Sequence, residues 1–219
     1  MIPLMHNLKG KKVVIFGGGD VGLRKARYFI GECRVTVISM DFCEDLSDLK
    51  KSGAAECDGE KRGLTLIKAD LSALTDEEIS GCIADCTVCV AATSDTALNN
   101  RIHAISMKKG LMFDNADGVE GNIIVPSVIR GRNYSIAIST GGRSPATARY
   151  MRRYFEKNAP QFDEMIELQC ELRELLKSET ESQSERKRII TATLDDENVW
   201  KELKNGKNTA MEYIRKVYL

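Results

Sequence analysis

Ten residues near the N-terminus, Gly17 to Ala26 (GGGDVGLRKA), constrain this chain more than any other stretch. They follow an apolar run, Val13-Val14-Ile15-Phe16, and open a segment of helical pattern. Gly17, Gly19 and Gly22 stand in the spacing G-x-G-x-x-G. At a strand-to-helix junction each glycine has a separate duty. The first permits the tight turn, the second lets the backbone approach a pyrophosphate, and the third lets the helix pack on the strand. The pyrophosphate then rests on the positive end of the helix. Glycine-rich turns are common, so the pattern alone says little. Its place between a buried strand and a helix is what points to a dinucleotide-binding turn. Asp20 and Val21 belong to the same turn, with Asp20 a helix-start acid that suits the dipole.

The residues that follow predict the sheet this turn belongs to. Strand patterns occur at Val13–Phe16, Arg34–Ser39, Thr65–Lys68, Thr87–Ala92 and Leu111–Asp114. Helical patterns lie between several of them, clearest at Val21–Ile30, Thr75–Ser80 and Asp95–Met107. Short apolar runs separated by helices predict an α/β fold, a Rossmann-type parallel sheet covered on both faces. After residue 115 the texture changes. Ile123–Val125 and Tyr134–Ser139 read as strands, and Ser144-Pro145 reads as a helix start, an N-cap hydroxyl followed by proline. From Gln161 onward the chain is charged and helical in pattern, with a polar interruption at Ser178–Ser184 that reads as a loop. Two short strands are too few for a stable unit, so pairing with a second copy is expected.

Charge is balanced over the 219 residues, 32 basic side chains against 32 acidic, so no global field advertises nucleic acid or a membrane. No run approaches the ~18 apolar residues that span a bilayer. The N-terminus lacks a signal-peptide apolar core, which leads us to expect a cytoplasmic protein with reduced thiols. Seven cysteines are present, and Cys82, Cys86 and Cys89 have the C-x3-C-x2-C spacing of cluster-binding enzymes. Cys89 falls inside the apolar run Thr87–Ala92, however, which favours burial over cluster ligation. The two histidines, His6 and His103, form no cluster in the sequence, and no metal-binding residue is assigned.

Against that neutral background one segment stands out. From Gly121 to Phe155 there are six arginines, Arg130, Arg132, Arg143, Arg149, Arg152 and Arg153, and no Asp or Glu. A step of about 100° per residue puts Arg149, Arg152 and Arg153 on one side of the helix after Ser144. Ala148, Met151, Tyr154 and Phe155 fall on the other. Just upstream, Ser139-Thr140-Gly141-Gly142-Arg143-Ser144 offers freed amides, a guanidinium and a helix start, which together suit a carboxylate or phosphate. Thr140, Gly142, Arg143, Ser144 and Arg149 are therefore assigned to an anionic substrate. Aromatic residues are not interleaved as a nucleic-acid stacking platform requires.

Taken together the segments resemble the precorrin-2 dehydrogenase family, the dehydrogenase/ferrochelatase domain of sirohaem synthase. The carriers are GGGDVGLRKA, then Ala91-Ala92-Thr93-Ser94-Asp95 with Asn99, then Asn115-Ala116-Asp117. Ile123-Ile124-Val125-Pro126-Ser127 and Ser139–Pro145 complete them, in the family's order and up to about residue 158. The resemblance implies oxidation of precorrin-2 to sirohydrochlorin with NAD+ as hydride acceptor, and in some members Fe2+ insertion to give sirohaem. It implies a Rossmann domain (1–115), a dimerisation segment (116–145) and a C-terminal helical domain (146–219). Gly17, Gly19, Asp20, Val21 and Gly22 fall on its cofactor turn, Met40 and Asp41 on its adenosine side, and Thr93 is assigned to the cofactor as well. Asp41 also stands 19 positions after Gly22, where a ribose-binding acid is expected. Asp117 falls on the family's catalytic aspartate. The loop here is one residue shorter than the common form and has Val119 after Gly118, which leaves Asp114 as an alternative. A nucleotide-sensing Rossmann module without catalysis is the competing reading, and it would need neither Asp117 nor the Gly141–Pro145 motif.

Overall fold

A computed structural model describes residues 2–51, 63–159 and 161–219. The chain divides into two compact units, Met1–Val125 and Pro126–Leu219. The first alternates strands and helices: β1 (Lys12–Phe16), α1 (Asp20–Phe29), β2 (Arg34–Ser39), α2 (Glu44–Lys51), β3 (Gly63–Lys68), α3 (Asp76–Cys82), β4 (Val88–Ala91), α4 (Thr96–Lys108) and β5 (Met112–Asn115). All five strands are parallel, in the order β3-β2-β1-β4-β5. The order reverses between β1 and β4, and ligands of such sheets bind at that switch point, beyond the carboxyl ends of the strands.

The strands read as continuous apolar runs because both faces are buried. Val13, Ile15, Val35, Val37, Val88 and Val90 meet Leu23, Ala26 and Phe29 of α1. On the other face Val14, Phe16, Ile38 and Cys89 meet Ile79 of α3 and Leu98, Ile102 and Ile105 of α4. His103 packs edge-on to Phe113, ring centroids 5.2 Å apart. Helix starts follow local chemistry. Thr75 and Glu78 form a reciprocal capping box at α3, and Asp95 accepts from the amides of Ala97 and Leu98 at α4.

One expected strand is not one. Ile123–Val125 joins no ladder among the described residues, and the second unit's first strand is β6 (Ser127–Arg130). Ile123 donates its amide to the Phe113 carbonyl (3.2 Å), while Ile123 and Val125 pack on the α1-side core. The apolar triplet serves burial rather than pairing. In the second unit β6 pairs antiparallel with β7 (Ser135–Ile138). α5 (Pro145–Asn158), α6 (Phe162–Glu179), α7 (Gln183–Asp195), α8 (Glu197–Asn205) and α9 (Lys207–Tyr218) follow. The polar interruption shrinks to residues 180–182, where Ser182 caps α7.

Helices α6 to α9 close around Leu168, Leu172, Leu176, Val199, Leu203 and Ile214. Asp196 caps α8 through the Asn198 amide and also accepts from the hydroxyls of Tyr213 (3.2 Å) and Tyr218 (2.9 Å), tying α9 to the α8 start. Helix α5 departs from the amphipathic expectation. Ala148 is buried, but Met151, Tyr154 and Phe155 remain 37%, 54% and 41% exposed, whereas Arg152 on the supposed polar side is half-buried. The covered side thus runs through Ala148 and Arg152, one turn apart, which the periodicity had assigned to opposite faces. Among the described residues no helix is long and apolar enough to cross a membrane.

Candidate functional site

The glycine turn between β1 and α1 is built by close approach. Gly17 has φ +116°, and a Cβ there would overlap the Ala92 carbonyl at the end of β4. A Cβ on Gly22 would overlap the Gly17 carbonyl, which binds the helix to the turn. Gly18, which the spacing argument passed over, is just as constrained. A Cβ on it would overlap the Asp41 carbonyl and meet the Phe42 ring at 2.8 Å. Gly19 is different. Its φ is −83°, and a Cβ would meet nothing within 4 Å. Neither conformation nor packing demands glycine there, whereas a phosphate approaching the backbone does. No side chain caps α1, so the amides of Asp20, Val21 and Gly22 have no intrahelical or capping acceptor. This cradle fits a pyrophosphate.

Beyond β2, Met40 is half exposed and Asp41 projects into solvent. The Asp41 carbonyl faces the glycine turn, so the backbone of Asp41 lies beside the cradle. Lys68 Nζ, at the end of β3, lies 3.2 Å from Asp41 Oδ1. Both side chains are well exposed, so this pair is screened and contributes little to stability. An acid here suits ribose hydroxyls.

The ends of β4 and β5 carry a polar network. Asn99 is fully buried in the first turns of α4. Its Oδ1 accepts from the Thr93 amide (3.2 Å) and hydroxyl (2.7 Å), and its Nδ2 donates to the carbonyls of Thr93 (3.1 Å) and Asp117 (3.2 Å). The Thr93 side chain is thereby engaged with Asn99 and the Asp95 backbone. Asp117 is exposed, and the Thr96 hydroxyl donates to its Oδ2 at 2.5 Å. The short loop closes at Gly118 (φ +120°), where a Cβ would overlap the Asn100 side chain, and Asn100 Oδ1 accepts from the Val119 amide at 2.7 Å. Asp114 has a different setting. It is buried on the α1 face of β5, with Lys25 Nζ 2.6 Å from its Oδ2, a charge contact lying off the hydrogen-bond direction. A buried, ion-paired carboxylate is poorly placed to exchange protons with a substrate.

In the second unit, Ser139–Ser144 precedes α5 with Gly141 and Gly142 at φ +61° and +78°. Its amides are mostly spoken for: Gly141 donates to Ser139 Oγ, Arg143 to the Thr140 carbonyl, Ser144 to Thr140 Oγ1 and Thr147 to Ser144 Oγ. Pro145 has none to give. The expectation of freed amides is therefore not met, and side chains are what the segment offers to an anion. Of the arginines, Arg132 pairs with Glu164 (3.1 Å) and Glu167 (3.4 Å), and Arg152 with Glu156 (3.7 Å). Arg143, Arg149 and Arg153 are exposed and make no ion pair among the described residues.

The cysteine triplet is no loop. Cys89 is fully buried in β4, Cys86 is buried, and Cys82 ends α3. Burial pushes the Cys86 thiol up to about 11 and the Cys89 thiol higher still, opposite to the thiolate an iron cluster requires. Cys57 lies outside the described residues.

Comparison with known proteins shows the family and the fold. A family described as "Putative NAD(P)-binding" matches residues 4–127, which include the whole glycine turn and Asp117. A precorrin-2 dehydrogenase of Methanosarcina barkeri is 38% identical over 91% of this chain and 85% of its own length. A siroheme synthase of Azotobacter vinelandii is 29% identical over 73% of this chain, which matches only 31% of that longer protein. Among solved structures, SirC, a precorrin-2 dehydrogenase, shares the fold with a TM-score of 0.70 at 22% identity, over 99% of this chain and 100% of that one. The cofactor is a nicotinamide dinucleotide.

Proposed function

The chain belongs to the precorrin-2 dehydrogenase family, and from that premise we propose that it oxidises precorrin-2 to sirohydrochlorin with NAD+, in the cytoplasm and as a homodimer. The observation that carries the reading is the cradle at Gly19 lying at the same carboxyl edge of the sheet as the Asp117 loop. Gly17, Gly19 and Gly22 with Asp20 and Val21 hold the pyrophosphate, and Met40, Asp41 and Thr93 line the rest of the cofactor. The oxidation removes two hydrogens from the macrocycle, one as hydride and one as proton. When bound, NAD+ accepts the hydride. Asp117 takes the proton and passes it to solvent. Arg143 and Arg149, with Thr140, Gly142 and Ser144, bind carboxylates of the substrate, since unpaired guanidiniums recognise carboxylates strongly.

Dimerisation is favoured by the second unit itself. Its sheet has two strands, and Met151, Tyr154 and Phe155 leave an apolar face exposed beside Tyr134, Ile136 and Phe162. The dividing lines 1–115, 116–145 and 146–219 go with this reading.

The test is an anaerobic assay with precorrin-2 and NAD+, following NADH and sirohydrochlorin. Asp117→Ala is expected to lower turnover about 10²–10⁴-fold with NAD+ affinity kept. Native turnover in Asp117→Ala, together with loss in Asp114→Ala, would move the proton acceptor to Asp114. Continuing the assay with Fe2+ reads whether iron insertion follows.

A further inference from the structure

The carboxylate of Asp117 sits on a loop of small, polar residues, and such a loop needs outside support to hold one geometry. That support comes from the first turns of α4 and the end of β5. Asn99 Nδ2 fixes the Asp117 carbonyl, Asn100 Oδ1 fixes the Val119 amide, and Asn115 Nδ2 donates to the Val119 carbonyl at 2.8 Å. These bonds set the backbone of the loop and leave the carboxylate free to rotate. Among the described residues a single bond engages that carboxylate, from the Thr96 hydroxyl to Oδ2. Oδ1 accepts none among the described residues, which leaves it available to a substrate.

Thr96 is not otherwise needed where it stands. It is exposed, and Asp95, not Thr96, caps α4. A buried Asn99 also links the Asp117 loop to Thr93, so α4 carries both the cofactor-side loop and the Asp117 loop on one rigid start. We propose that Thr96 is a positioning residue: its hydroxyl holds Asp117 Oδ2 so that Oδ1 faces the proton to be removed. The inference rests on the reading of Asp117 as the proton acceptor. A hydroxyl bonded to a carboxylate is a charge-assisted contact, strong enough to select one rotamer of a side chain that otherwise has several. The orientation matters because a base must lie within hydrogen-bond reach of the proton it takes.

The experiment compares Thr96→Val, which keeps the shape and removes the hydroxyl, with Thr96→Ser, which keeps the hydroxyl, each as the full-length protein in the anaerobic precorrin-2 assay. Thr96→Val is expected to lower kcat about tenfold, the scale of one lost charge-assisted hydrogen bond. KM for precorrin-2, the Kd for NAD+ and the Tm are expected to stay at their native values. Thr96→Ser is expected to restore most of kcat. In Asp117→Ala, adding Thr96→Val is expected to change nothing further, because the two act as one unit. Native kcat in Thr96→Val, with Asp117→Ala impaired, overturns the role of Thr96 alone. A fall in Tm or NAD+ affinity that Thr96→Ser does not rescue overturns it in favour of a structural role. Native turnover in Asp117→Ala overturns the catalytic reading beneath it, a result separate from either of those.

Discussion

Two helix starts in this chain follow glycines and are both proposed to meet an anion, yet they are finished differently. At α1 the N-cap is Gly19, which has no side chain to offer, and the first-turn amides have no capping acceptor. At α5 the N-cap is Ser144, whose Oγ accepts from the Thr147 amide, while Thr140 Oγ1 accepts from the Ser144 amide and Pro145 brings none. Of the four amides that open a helix, α5 leaves only that of Ala146 without such a partner. A helix start that satisfies itself is stable alone and has little left for a ligand. One that does not is less stable alone and is suited to a phosphate. Under the proposed function, the contrast makes recognition in the first unit a matter of backbone amides and in the second a matter of the Arg143 and Arg149 side chains.

The largest expected effect lies at the open start. Gly19→Val places a side chain where the protein itself has nothing within 4 Å, at a φ that valine tolerates. NAD+ affinity is expected to fall at least about 100-fold, about 2.7 kcal/mol, with Tm nearly unchanged. Isothermal titration and thermal melts read both. A lowered Tm with native affinity would show that Gly19 is structural and would erase the contrast. Run with NADP+, the same titration is expected to give weaker binding than NAD+, since Asp41 repels a 2′-phosphate. Equal or tighter NADP+ binding would instead give the Lys68 ammonium, 3.2 Å from Asp41, the deciding role.

At α5 the expected loss is smaller and of another kind. Arg143→Ala is expected to raise KM for precorrin-2 about tenfold, about 1.4 kcal/mol, and to lower kcat less, because a carboxylate contact exists before and during the reaction. A drop in kcat at constant KM would place Arg143 in the chemistry rather than in binding.

The same contrast explains what could be read from the sequence. The glycine turn was legible because the positive φ of Gly17 and the approach of Gly22 to the Gly17 carbonyl are local backbone geometry, which spacing records, although the Ala92 carbonyl also closes in on Gly17 from across the sheet. Asp95 and Thr75 were legible as helix starts for the same reason. Gly18 escaped because its constraint comes from Asp41 and Phe42, across the sheet. Thr96 and Asn100 escaped because they support a loop some 19 to 21 positions away, and no period links those stretches. At α5 the sequence displayed three hydroxyls and two glycines beside an arginine, and this reads as an anion site. Only coordinates reveal that the hydroxyls of Ser139, Thr140 and Ser144 consume the amides. Ile123–Val125 shows the converse limit, since three apolar residues pack equally well in a ladder or beside one.

The smallest expected effect tests the closed start directly. Ser144→Ala removes the oxygen that accepts from the Thr147 amide at 3.3 Å and from or to Thr147 Oγ1 at 2.7 Å. Loss of an N-cap of this type costs about 1 kcal/mol, and Pro145 keeps the backbone preorganised for a helix, which holds the loss at that scale. A fall of a few degrees in Tm is expected, with NAD+ affinity native because the α1 cradle is untouched. Ser144→Asp restores an acceptor and places a negative charge at the positive end of α5, so its Tm is expected to match the native value. The two variants separate cap from ligand site. If Ser144 only caps, Ser144→Asp restores stability and leaves KM for precorrin-2 near native. If its hydroxyl instead contacts a substrate carboxylate, the new charge repels that carboxylate, and KM rises while Tm recovers. A rise of that kind would make the α5 start an anion site after all and remove the distinction between the two helices.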